Sequence, residues 1–163
     1  MPDPTPLDAL KVRAQPFPLD LAARRAFAAR MNGLASMRVA GAQFDLDDTH
    51  VLRLCLAEVA EHHLGGLGTR AVNGAVIAGL FDAALGVAGT AQFLPQRAGT
   101  VELSIKLMRP AFEAPLEVLA ITLKHSPHLA FTEAELYAEG KRCAVASGIV
   151  AIASSPKHGE AFW

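Results

Sequence analysis

Cysteine is scarce in this sequence: 163 residues hold two, Cys55 and Cys143, lying far apart. That excludes a disulfide framework, and isolated thiols in apolar runs read as small core hydrophobes. A surplus of positive charge is also missing. Fifteen Lys and Arg face sixteen Asp and Glu, a formal charge of −1, which is too little basic surface to displace counterions from a nucleic acid. Any anionic ligand must then be met by a local basic cluster. The N-terminus has the form of neither a signal nor a transit peptide. Its prolines at positions 2, 4, 6, 16 and 18 make residues 1–18 a flexible or draped arm. The protein reads as cytoplasmic.

What the chain has in quantity is apolar side chains, 52% of the residues against 19% charged. At this length that suits one sizeable core, hence a single domain over residues 19–163. Asp20 as N-cap, Leu21, Arg24, Ala28 and Met31 at helical spacing, and Gly33 as a C′ glycine predict a helix over residues 20–32. Residues 35–45 and 50–57 read as a hairpin around Asp47-Asp48. Residues 58–73, with Gly65, Gly66 and Gly68, read as a functional loop. A long helix over 74–89 follows, then extended runs at 99–108, 116–125, 129–138 and 142–153. In the first of these, Val101, Leu103, Ile105 and Leu107 alternate with polar residues, which predicts one wet and one buried face. The last run is apolar on both faces and reads as an inner strand, after a Glu139-Gly140 turn. The fold class is α+β, an antiparallel sheet of about six strands packed on one dominant helix.

That helix is where charge is scarcest. Between Arg70 and Arg97 lie 26 residues, and Asp82 is the only charged one. An acid in mid-bilayer and many Gly, Ala and Asn argue against a membrane span. Ala75, Gly79, Asp82, Gly86 and Gly89 recur at steps of four and three, forming one narrow stripe of small residues around a carboxylate. Each interior glycine costs a helix up to about 1 kcal/mol against alanine, so a sheet, a second helix or a ligand is expected to approach the backbone. Asp82 is expected to face a tight crevice. A buried acid satisfied by a backbone N–H or an arginine is the structural alternative.

The stretch VNGAVIAGLFDAALG resembles the signature of hotdog-fold thioesterases, of the phenylacetate-degradation and 4-hydroxybenzoyl-CoA types. GTVELSIKLMRPA and LAFTEAELYAEGKRCAVASGIVAI continue the resemblance, which covers roughly residues 34–153. It implies a sheet wrapped around a central helix and hydrolysis of an acyl-CoA thioester. No cofactor is implied beyond the CoA of the substrate. Asp82 would be general base or nucleophile, and the Gly74 N–H would polarise the thioester carbonyl. A first-turn N–H has no intrahelical partner, and the helix dipole favours an oxyanion there.

Gly74 and Asp82 are eight residues apart, about 12 Å along a helix. Both cannot reach one carbonyl from the same helix, so the site joins two subunits of a homodimer, which could pair again into a tetramer. Asn73 stands where the family has histidine: it can hydrogen-bond to the loop or the carbonyl but cannot titrate. Leu67 stands where relatives carry Asn or Gln. His62 and His63 are candidate substitutes from the loop, although adjacent histidines do not match zinc-site spacing and no metal is expected. Otherwise they read as solvated loop histidines. For the CoA phosphates the candidates are Arg109, Ser126 and His128, with Lys124, His125, Lys141 and Arg142 beside them. A non-catalytic acyl-CoA or acyl-ligand binding protein of the same fold is the alternative. A dehydratase is weaker, because no histidine is correctly placed on the helix.

Overall fold

Asp20 begins the first long helix, as its spacing predicts. The Ala23 N–H donates to Asp20 Oδ1 at 2.8 Å, and α2 runs Leu21–Asn32. The computed structural model describes residues 5–65, 68–112 and 115–153. Ahead of α2, a short helix α1 (Pro6–Lys11) lays Leu10 against Val51, Leu119 and Ile121. The Gln15 N–H then donates to Thr122 O at 2.7 Å, so this segment lies along the sheet.

Two local expectations fail just after α2. Gly33 has φ −73 and stays right-handed, so it is no C′ glycine. Residues Ala35–Ala40, expected to be extended, form a helical turn and a half, α3. The left-handed glycine is Gly41 instead, at φ +67, and burial of Met37 at 6% exposure holds α3 on the core. Only Ala42–Asp45 remains as strand β1.

It pairs with β2 (Val51–Leu56), and the connection turns where Asp47-Asp48 predicts. The long helix α4 spans Gly74–Thr90. Strands β3 (Ala98–Leu107), β4 (Leu116–His125), β5 (Leu129–Ala138) and β6 (Lys141–Ile152) follow within a residue or so of the expected bounds. Glu139 and Gly140 make the last turn with φ +49 and +71. Among the described residues the strands form one antiparallel sheet in the order β1-β2-β4-β5-β6-β3. This is the α+β architecture that the resemblance implies, and β6 is the inner strand expected.

The sheet's inner face closes on α4. Phe81, Ala84, Leu85 and Ala88 are fully buried there with Leu116, Ala120 and Leu136, and burying each large side chain stabilises the fold by about 1.5–3 kcal/mol. Glycines let helix and sheet touch. A Cβ on Gly89 would lie 2.5 Å from Val150 Cγ2, and one on Gly86 would lie 3.0 Å from Thr100 Oγ1.

Strand β3 departs from its expected pattern. It is an edge strand, with Leu103 and Ile105 half-buried and Val101 and Leu107 at 65% and 58% exposure. Of the two thiols, Cys143 is buried in the core, whereas Cys55 is half-buried on the outer sheet face. Among the described residues, no helix is long and apolar enough to cross a membrane.

Candidate active site

Backbone pairing fixes the two ends of the loop before α4. Leu64 and Val72 form an antiparallel bridge, and the Val72 N–H donates to Ala111 O at 2.7 Å. The next N–H, that of Asn73, donates to His63 O at 2.8 Å. The chain thereby reaches the helix start in one direction, and Asn73 becomes the N-cap. Its Oδ1 accepts from the Ala75 N–H at 2.8 Å, the arrangement that makes Asn a preferred cap. Gly74, the first helical residue, is exposed, and its N–H has no partner among the described residues. A donor of this kind at the positive end of a 17-residue helix is suited to an oxygen that gains charge.

Asp82 lies at the midpoint of α4. Among the described residues the expected crevice does not form: Asp82 is exposed and has no hydrogen-bond or ion-pair partner there. A buried structural acid is therefore excluded as its role in one chain. The stripe divides at this point. Gly86 and Gly89 are used by the sheet, while Ala75 and Gly79 are exposed, and a Cβ on Gly79 would meet nothing within 4 Å among the described residues.

The two histidines behave differently. His62 is exposed and its ring lies 4.0 Å from that of His63. His63 is not the solvated histidine the sequence suggests, for it is 3% exposed. Its Nδ1 accepts from the Ala60 N–H at 2.9 Å, and Nε2 lies 3.0 Å from Ala40 O. Because Nδ1 accepts, the proton of the neutral ring sits on Nε2 and is donated to Ala40 O. Burial, then the neighbouring His62, holds this imidazole below the usual histidine range, with the Ala40 bond opposing. Among the described residues, no group of three or more His, Cys, Asp or Glu is placed to hold a metal. Leu67 lies outside the described residues.

Of the remaining candidates, all but Lys141 and Arg142 fall into two groups at opposite ends of α4. Leu107 lies against Gly74, and the Arg109 N–H donates to Cys143 O at 3.0 Å, so Arg109 stands at the helix N-terminal end. Ser126 and His128 form the β4–β5 turn, with Lys124 and His125 beside them. There the His125 ring meets Phe93, just past the helix C-terminus, at 6.4 Å between centroids. The Ser126 hydroxyl accepts from the Leu129 N–H at 3.1 Å, which closes the turn. About 25 Å of helix separates the two groups. Arg142 is paired with Glu135 at 2.9 Å on the outer sheet face. Composition gave no sign of His63's structural bonds, since their partners are backbone groups of Ala40 and Ala60.

A model of the thioesterase superfamily matches residues 70–145, from the approach to α4 into β6. The PaaI protein of the E. coli phenylacetic acid degradation operon is 18% identical, covering 83% of this chain and 97% of that one at a TM-score of 0.72. A Haemophilus influenzae thioesterase is 12% identical over 87% of this chain and 96% of that one, with a TM-score of 0.72. A Shewanella oneidensis protein related to the thioesterase superfamily is 13% identical over 92% and 100%, with a TM-score of 0.74. No curated protein matches the chain in sequence. At these identities the solved structures establish the fold alone. The chain is a hotdog-fold protein whose residues 70–145 match the thioesterase superfamily.

Proposed function

We propose that this chain hydrolyses acyl-CoA thioesters to free acid and CoA, in a site shared between two copies. One observation carries the reading: the sole charge of α4 stands exposed at mid-helix with no partner among the described residues, on a face of small residues that its own sheet does not cover. Asp82 either takes a proton from water as that water attacks the thioester carbonyl, or attacks the carbonyl itself to form an anhydride that water then hydrolyses. In both cases the Gly74 N–H of the second copy takes the developing oxyanion, and the departing CoA thiolate takes up the proton that water releases. The thiol of CoA leaves.

The dimer follows from distance. If two α4 helices run antiparallel with Gly74 opposite the partner's Asp82, they cross at position 78. Ala75, Ala78 and Gly79 flank that point, so the backbones can come close. Thr100 lies against Gly86 and Leu107 against Gly74, which puts Ser104 and Ile105 of edge strand β3 beside the crossing. Two β3 edges can then pair antiparallel and continue the sheet, covering Val101 and Leu107. Met108 and Phe112, 47% and 52% exposed, follow Leu107 in the chain and offer further apolar surface. Antiparallel pairing also brings Arg109 of one copy to the same end as Ser126 and His128 of the other. Together with the exposed His62, these supply the polar groups for a CoA moiety, and His63 belongs to the loop that shapes the site.

A non-catalytic acyl-CoA binding protein is favoured by one feature, the commitment of the Asn73 amide oxygen to the Ala75 N–H. Free-thiol release from a panel of acyl-CoAs separates the two. Wild type should turn over at least one of them, and Asp82→Asn should lose about a hundredfold or more in kcat. Acyl-CoA binding without release of CoA would leave the binding protein standing. Undiminished turnover in Asp82→Asn would remove Asp82 from the chemistry.

A further inference from the structure

We propose that His63 is a positioning residue for the Gly74 N–H, acting through its own backbone carbonyl. The inference rests on the reading of Gly74 as the carbonyl-polarising donor, but its geometry stands apart from any reaction. The His63 ring is buried and clamped at both nitrogens. Nε2–H caps the last carbonyl of α3, Ala40 O, at 3.0 Å, and Nδ1 takes the Ala60 N–H at 2.9 Å. These two bonds tie α3 to the 3-10 turn Glu61–His63. From that anchored residue the carbonyl accepts the Asn73 N–H at 2.8 Å. Asn73 is the N-cap, so the peptide that carries the Gly74 N–H is aimed by a chain of three bonds starting at the imidazole. Asn73 alone could cap the helix without this chain. What His63 adds is the orientation of the loop from which the helix departs.

The neutral ring is essential to the clamp. Protonation puts a second N–H on Nδ1, opposite the Ala60 N–H, and two donors cannot bond each other. The Ala60 bond is then lost, and the turn holding the His63 carbonyl loosens. The charged or titratable residues of the surrounding elements are His62, Glu58, Glu61 and Arg70 on its own segment, Arg38 on α3, and Arg109 on the strand exit that carries Ala111. The first two turns of α4 carry none.

Amide hydrogen exchange by NMR tests this without reference to catalysis. In His63→Phe the Asn73 amide should exchange at least about tenfold faster than in wild type, while α4 amides beyond the first turn stay protected. In wild type, Asn73 protection corrected for intrinsic exchange should fall with acid, and His63→Gln should remove that step. Gln keeps a donor for Ala40 O and cannot titrate, so it serves also if His63→Phe fails to fold. On thioester turnover, His63→Phe should lower kcat with KM nearly unchanged, because the donor acts on the oxyanion of the transition state. Unchanged Asn73 exchange in the variants, or an acid step that persists in His63→Gln, overturns the positioning role even if the enzyme is active. If wild type releases no thiol, the exchange result still decides whether His63 aims the peptide, and only the reading of Gly74 falls.

Discussion

Gly79 offers the sharpest perturbation, because one chain and a dimer give it opposite consequences. In a single chain a Cβ at 79 meets nothing within 4 Å among the described residues. Replacing an interior helical glycine there should stabilise α4 by about 1 kcal/mol. In a domain of this size that raises Tm by roughly 2–4 °C. If two α4 helices cross at position 78, their axes approach to about 8–10 Å, and the added side chain enters the gap from both copies. Overpacking costs about 1–3 kcal/mol per site, hence about 2–6 kcal/mol per dimer, or a thirtyfold or greater weakening of Kd. Gly79→Leu is the variant to make, with Gly79→Ala as the milder step. Sedimentation equilibrium reads the association, and thiol release against protein concentration reads the shared site. The expected result is a Gly79→Leu chain that melts no lower as a monomer yet associates poorly and turns over slowly. Wild-type association together with wild-type kcat/KM in Gly79→Leu would refute the crossing, and with it the pairing of Gly74 and Asp82.

Other perturbations test the fold beneath the site. Gly89→Ala should destabilise by about 1–2 kcal/mol in thermal melts, since its Cβ would strike Val150, itself fully buried, and overpacking outweighs the helix-propensity gain. Arg24 is 6% exposed and donates to the carbonyls of Leu46, Leu19 and Asp47 at 2.8, 2.7 and 3.1 Å. Arg24→Leu should therefore lower stability by about 2–4 kcal/mol in urea denaturation, with three carbonyls left unpaired. His63 predicts a pH dependence of known sign. Its folded pKa lies below its unfolded value of about 6.5, so the unfolded chain takes the proton first. Its contribution is complete above that value and is lost as pH falls toward the folded pKa. Denaturation at pH 7.5 and 5.5 should show that loss in wild type and less of it in His63→Gln.

The long elements were legible because their signals are local and repeated. Residues 74–89 carry a helical run without turn chemistry, and β4, β5 and β6 show β-rich runs bounded by turns such as Glu139-Gly140. Residues 35–40 were not legible. ASMRVA has no capping side chain at Leu34, and what makes it helical is the docking of Met37 and a left-handed Gly41 that favours the helix end. His63 was missed for a related reason: its partners are a helix-terminal carbonyl and a loop N–H, which no side-chain pattern announces.

The candidate site was legible in a different way. The sequence marked Asp82 by what surrounds it, an absence of charge and a row of small residues, and inferred a crevice. Half of that row did meet a surface, for Gly86 and Gly89 lie against Thr100 and Val150. The other half, Ala75 and Gly79, carries the same compositional signal yet is exposed, and among the described residues a Cβ on Gly79 would meet nothing within 4 Å. Small residues report that a backbone is approached closely and are silent on which chain approaches. On the proposed pairing of Gly74 with Asp82, a second α4 would account both for the open face beside Asp82 and for the eight-residue gap to Gly74.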